Sequence, residues 1–108
     1  MAPPGDDPAA ANADPGDANV LRRTLTICNK RGLHARAAAK FVTLAERFGA
    51  SVEVGKDGQS VSARSIMGLM MLGAGLGSRI ELRAEGWDAK EAIDALSALV
   101  EAGFHEQD

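Results

Sequence analysis

Between Thr24 and Ala102 the apolar residues of this chain recur in turn every second position and roughly every 3.6 positions, and glycines stand where the period changes. Such a pattern predicts short half-buried strands alternating with amphipathic helices. Thr24-Leu25-Thr26-Ile27-Cys28 alternates as a strand with one buried face does, and residues 29–34 predict a loop in which Gly32 gives backbone freedom just ahead of His34. From Ala35 to Phe48 the apolar positions Ala38, Phe41, Val42, Ala45 and Phe48 fall at helical spacing, with Gly49 as the stop. Residues 51–54 and 59–62 flank Gly55-Lys56-Asp57-Gly58 and predict a hairpin with a four-residue connection. Residues 66–72 predict a short helix that turns Ile66, Leu69 and Leu72 inward and ends in the glycine-rich run 73–77. Residues 78–84 alternate again, with Ile80 and Leu82 facing in. Last comes an amphipathic helix over 88–102, with Asp88-x-x-Glu91 as a capping-box-like start, Ile93, Leu96, Leu99 and Val100 as its stripe, and Gly103 as its stop.

The order is β-α-β-β-α-β-α. Three helices cannot cover both faces of four short strands, so the expected fold is α+β: a four-stranded antiparallel sheet with all three helices on one face, an open-faced sandwich. The order β-α-β-β-α-β also belongs to ferredoxin-like domains. Topology therefore does not choose the function.

A chain of 108 residues allows one domain with a thin core. With three Phe, one Trp and no Tyr, that core is expected to consist mostly of Leu, Ile, Val, Met and Ala. Residues 1–20 hold four Asp, all four Pro and no Lys or Arg, and are read as a disordered acidic tail ahead of a domain over 21–108. They lack the basic start and apolar run of a secretory signal, and nothing in the chain approaches a membrane span, so a cytoplasmic protein is expected. Setting the tail's four Asp apart from the fifteen acidic residues leaves eleven against twelve basic ones, a net of +1. Most of the basic residues precede Ser65. Lys30, Arg31, Arg36, Lys40 and Arg47 are thus expected to give His34 a positive field suited to a phosphate or an acidic partner. Cys28 is the only cysteine, read as a small buried hydrophobe in a strand. It excludes an internal disulfide. No metal-ligand spacing links it to His34 and His105, and neither a metal nor a cofactor is expected.

His34 lies in Gly32-Leu33-His34-Ala35-Arg36, between the strand-like run and the Ala-rich helix. A helix N-terminus offers unpaired N–H groups and a partial positive charge, so an imidazole there stands beside a phosphate pocket to which Arg36 adds a permanent cation. Imidazole nitrogen can attack phosphorus and later release it, so one residue can be both nucleophile and carrier. A second motif, Arg64-Ser65-Ile66-Met67-Gly68-Leu69-Met70, begins the short helix with Ser65 as candidate N-cap. Met67, Met70 and Met71 fall on that helix's other face, where flexible side chains suit a docking surface shared by several partners.

Together these segments resemble the HPr family, the histidine-containing phosphocarriers of bacterial phosphotransferase systems. Their active site reads Gly-Leu-His-x-Arg-Pro-Ala and their regulatory site Lys/Arg-Ser-Ile/Leu-Met/Phe-Gly/Lys-Leu. The likeness runs from about Leu21 to Ala102 and departs at Ala37, where the family usually has proline. It implies that His34 takes a phosphoryl group on Nδ1 from enzyme I, ultimately from phosphoenolpyruvate. His34 would pass it to enzyme IIA-type domains, for sugar transport or nitrogen and carbon regulation, as a carrier rather than a stand-alone enzyme. Arg36 would steady the phosphate, and Ala35 with Met67, Met70 and Met71 would line the partner interface. Ser65 would be the target of an HPr kinase/phosphorylase. A monomer that binds neither nucleic acid nor membrane is implied, and the scarcity of aromatics on the predicted strands agrees in arguing against stacking-based RNA recognition. A second reading keeps the fold as a regulatory binding module that acts through Ser65 and docking. Such a module has no use for a histidine within an intact Gly-Leu-His-x-Arg.

Overall fold

Seven elements and a closing 3-10 turn follow that order in the computed structural model, which describes residues 20–106. They are β1 (Val20–Thr26), α1 (Ala35–Ala45), β2 (Ser51–Lys56), β3 (Gln59–Ser62), α2 (Ile66–Met71), β4 (Arg79–Glu85) and α3 (Ala89–Glu101), with the turn over Gly103–His105. Of the tail expected over residues 1–20, all but Val20 lies outside the described residues, and Val20 itself opens β1.

The sheet runs β1-β4-β2-β3, and every neighbouring pair is antiparallel. Period-two alternation puts Leu25, Ile80, Leu82, Ala84, Val52 and Val54 on the helix side, while Glu81, Glu53 and Glu85 stay exposed on the other. Register aligns them: Leu25 pairs with Ile80, and Val54 pairs with both Leu82 and Val61. Helix α3 packs over β1, β4 and β2 through Ile93, Leu96 and Val100, and α1 packs beside α2 and α3. Full burial of each such side chain contributes about 1.5–3 kcal/mol, so Leu82→Ala at the centre of the sheet should cost about 2–5 kcal/mol.

Several details differ from the sequence reading, each for a local reason. The first strand lies earlier than expected and ends at Thr26; Ile27 is buried just beyond it, bonded through its backbone to Gly77 and Ser78. Cys28 is exposed rather than buried, because the chain has left the sheet there and turned past the end of α3, where the thiol donates to Val100 O. Helix α1 stops at Ala45, and the bonds from Arg47 N to Leu44 O and Phe48 N to Ala45 O tighten the chain before Gly49. The hairpin connection is two residues, not four: Lys56 pairs with Gln59, and Asp57 and Gly58 take φ of 51° and 82°, a twist that matches paired strands. Ile66 is 40% exposed, since the first side chain of a helix leans back past its own N-terminus, while Leu69 and Leu72 carry the packing. The three methionines of α2 add nothing to the core, whose largest buried side chains are Phe41 and Phe104. The capping box at Asp88 does not form. Its carboxylate instead accepts from Gly49 N at 2.9 Å and Ala50 N at 2.8 Å, tying the start of α3 to the turn before β2.

Candidate functional site

The loop ahead of α1 is held on both sides. Gly32 N donates to Asn29 O, and Leu33 N donates to Ala74 O at 2.9 Å, so the turn after α2 supports the turn before His34. Gly32 has φ of 67°, and a Cβ there would come within 2.4 Å of Ala74 O. Only glycine fits. Leu33 is buried, and His34 follows as the N-cap of α1 with extended backbone; its carbonyl accepts the first helical bond, from Ala38 N. The N–H groups of Ala35, Arg36 and Ala37 precede that bond and have no helical partner. Ala35 and Arg36 are exposed, whereas the Ala37 methyl is fully buried against the core.

The imidazole does not cap its own helix. Its Nε2 is hydrogen-bonded to Glu106 Oε2, the His34 side chain being 24% exposed and that of Glu106 11%. Nδ1 makes no hydrogen bond to a described residue. Asn29 Nδ2 donates to the other carboxylate oxygen, Glu106 Oε1, at 2.9 Å and also to Gly32 O at 2.9 Å. The hydrogen bonds from His34 and then from Asn29 hold the Glu106 carboxyl below its ordinary value of 4.5, and the charge of Lys40 acts in the same direction.

What brings Glu106 here is an unusual backbone. Gly103, Phe104 and His105 have φ of 62°, 58° and 59°, three left-handed residues in succession, two of which carry side chains. Phe104 is fully buried and its carbonyl accepts from Lys40 Nζ at 2.6 Å, which fixes the segment onto α1. Left-handed backbone at non-glycine residues costs free energy and persists only where packing enforces it. Nothing in the sequence pattern pointed to Glu106 or Asn29. The signals present were Gly103 as a left-handed stop and Phe104 as a large apolar residue beyond it.

Among the five cations expected to surround His34, Lys40 faces the site through Phe104 and Glu106, and Arg36 is exposed in the first turn of α1. Lys30 and Arg31 lie in the loop just before it. Arg47 lies past the other end of α1, roughly 15–20 Å along the axis and beyond a Debye length of about 8–10 Å, so its contribution is screened. Concavities of about 130, 170 and 310 Å³ elsewhere on the domain are lined by other residues. His34 lies at the surface, partly covered by Glu106.

Ser65 is the N-cap of α2, and its Oγ accepts from Gly68 N at 2.9 Å. A Cβ at position 68 would lie 2.9 Å from that Oγ and 3.0 Å from Val61 Cβ. Met67, Met70 and Met71 are 68%, 40% and 75% exposed, and exposed Ile66 and Leu76 extend the apolar surface. Helix α2 packs beside α1, and the turn after it carries the Ala74 carbonyl that supports Leu33. The surface therefore adjoins the His34 loop.

The HPr family, described as "PTS HPr component phosphorylation site", matches residues 21–102, a span that contains both motifs. The chain belongs to the HPr phosphocarrier family. Phosphocarrier protein HPr of Cupriavidus necator is 51% identical over 87 residues, which cover 81% of this chain and 98% of that protein. Phosphocarrier protein NPr of Shewanella violacea is 49% identical over 86 residues, covering 80% of this chain and 94% of that one. The crystal structure of HPr-C-His from Thermoanaerobacter tengcongensis superposes with a TM-score of 0.78 at 48% identity, covering 82% of this chain and 99% of the other. A further structure from that organism is of an HPr dimer. The open-faced HPr sandwich excludes the ferredoxin-like alternative. Glu106 lies outside the matched span.

Proposed function

We propose that this HPr-family protein carries a phosphoryl group on His34, receiving it from enzyme I and giving it to enzyme IIA-type domains. One observation carries the reading: His34 stands partly exposed at the uncapped start of α1, with Nε2 engaged and Nδ1 left for phosphorus. The Ala35 and Arg36 N–H groups and the Arg36 guanidinium are the donors for the phosphate oxygens, and charge-assisted bonds of this kind are the strong ones. A carrier needs such openness, because the group must be reached by one large partner after another. Sugar transport and nitrogen regulation share this chemistry, and both HPr and NPr proteins are close relatives.

The Met67, Met70 and Met71 face, together with Ala35, is the surface on which those partners dock. Its flexible thioethers can fit successive apolar surfaces. Phosphorylation of Ser65 by an HPr kinase/phosphorylase places charge beside that face and hinders docking. The protein works as a cytoplasmic monomer; among the described residues no helix is long and apolar enough to cross a membrane. The test is incubation with enzyme I and phosphoenolpyruvate, read by intact mass and by the acid lability and base stability of the adduct. One labile phosphoryl group on the parent and none on His34→Ala is the expected result. Equal uptake by the two proteins removes His34 from the reaction, and sedimentation as a dimer at working concentration removes the monomer.

A further inference from the structure

We propose that Glu106, steadied by Asn29, is a positioning residue that fixes the His34 ring with its proton on Nε2 and balances the positive charge the ring acquires when Nδ1 carries phosphorus. The proposal rests on the carrier reading above and assigns work to residues outside both sequence motifs.

The geometry has three parts. Glu106 Oε2 is the partner of Nε2, and an ionised carboxylate is an acceptor only, so the ring proton resides on Nε2. The depressed carboxyl of Glu106 keeps it ionised at neutral pH. Oε1 accepts from Asn29 Nδ2, which also donates to Gly32 O. Turned the other way, that amide would set its oxygen against two acceptors, so its orientation is dictated. Asn29 is 3% exposed, and Lys40 holds the Phe104 carbonyl two residues before Glu106. The carboxylate is therefore fastened at both its oxygens and its backbone.

Consider the transfer itself. The Nδ1 lone pair forms a bond to phosphorus while the bond from phosphorus to the donor's carrying atom breaks, its electron pair returning to that atom. His34 is left as an imidazolium, with phosphorus on Nδ1 and the original proton still on Nε2. In the second step the Nδ1–P electrons return to Nδ1 and the acceptor's nucleophilic atom bonds to phosphorus. No proton leaves Nε2 in either direction. A fixed carboxylate at Nε2 thus serves both steps: it presents the correct lone pair before transfer and lies beside the positive charge afterwards. A wrong tautomer would present Nδ1–H, which cannot attack.

Three variants test this: Glu106→Ala, Glu106→Gln and Asn29→Ala, each measured for the His34 ring tautomer by 15N NMR and for phosphoryl uptake from phospho-enzyme I by rapid quench. The parent should show Nε2–H, and Glu106→Ala a mixture of tautomers with uptake roughly 10- to 100-fold slower, by analogy with the loss when the outer partner of a metal-bound imidazole is removed. Glu106→Gln can accept from Nε2–H through its amide oxygen without the charge. It should restore the tautomer and leave uptake slow. Asn29→Ala should fall between, as the carboxylate loosens. A Glu106→Ala protein that keeps Nε2–H, or one that takes up phosphate at the parental rate, overturns the proposal. So does a Glu106→Gln protein that matches the parent in rate, because charge would then be idle. Failure of the parent itself to take up phosphate defeats the carrier reading instead, a result the tautomer measurement does not depend on.

Discussion

Helices α1 and α2 begin alike and finish the job differently. Each has an extended N-cap residue, His34 or Ser65, at the end of a turn. Ser65 turns its hydroxyl inward and takes the Gly68 N–H, which closes the first turn of α2. His34 turns its ring away to Glu106, which leaves the first turn of α1 open. On the carrier reading proposed above, the difference teaches how two similar helix starts in one short chain can serve differently, one open to a phosphoryl group in transit and one closed by its own cap. A group that must come and go needs donors not already in use. Helix α1, with eleven residues against six, also has the fuller dipole.

Replacing His34 by alanine should break this comparison most completely, removing phosphoryl uptake while circular dichroism stays near the parent's, since its ring caps nothing. A third helix start sharpens it. Asp88 also forgoes its own helix, but its carboxylate is committed to Gly49 N and Ala50 N, so it is buried structure rather than open chemistry. Asp88→Ala strands those N–H groups, one of them buried, and should lower stability by about 2–4 kcal/mol in denaturant titration. Loss of under 0.5 kcal/mol would show that water replaces the carboxylate there. Arg36→Ala should leave the fold intact and slow transfer, by about 1.5–3 kcal/mol in the step that uses the guanidinium. Parental kinetics would take Arg36 out of the pocket.

Ser65 offers the finer contrast. Ser65→Ala removes the cap and should cost about 1 kcal/mol. Ser65→Asp keeps an acceptor and adds charge at a helix N-terminus, so its melting should match or slightly exceed the parent's. The cost should appear as weaker enzyme I binding at low salt, where the added charge is least screened. Unchanged affinity there would leave Ser65 as a cap alone.

The two starts were legible in the sequence because each is encoded locally. Gly32 before His34, the helical spacing of Phe41, Val42 and Ala45, and Ser65 ahead of Leu69 are relations within one turn or one helix. Strand alternation around Ile80 and Leu82 likewise fixed which face is buried. What escaped was non-local. Glu106 meets His34 only because Phe104 is drawn into the core with left-handed backbone, and neither the burial nor the φ is written in residues 103–106 alone. Asp88 looked like a cap for the same reason: its true partners lie 38 and 39 residues away. Cys28 looked like a strand residue because alternation continues in the sequence past the point where the ladder stops.

Acid and salt should separate the carboxylate at His34 from an ordinary surface one, with the smallest effects of all. The Asp94 carboxyl is also held below its ordinary value of 3.8, by hydrogen bonds from Lys90 first and Arg23 second. A carboxyl depressed in the folded state contributes stability that is fully present above its unfolded value and is lost as pH falls through its lower folded value. Both contributions should therefore be complete at neutral pH and begin to fade as pH falls through the ordinary values, 4.5 for Glu106 and 3.8 for Asp94. Salt acts differently on the two. The side chains of Asp94 and Lys90 are 46% and 75% exposed, so ions screen that pair readily. Glu106 has its carboxylate turned in against His34 and Asn29. Raising ionic strength at pH 7 should thus shift the NMR resonances of Lys90 and Asp94 while those of the His34 ring stay in place. Acidification should move both sets. If salt alone frees the His34 ring, Glu106 is a surface charge like Asp94, and the open start of α1 has no fixed partner behind it.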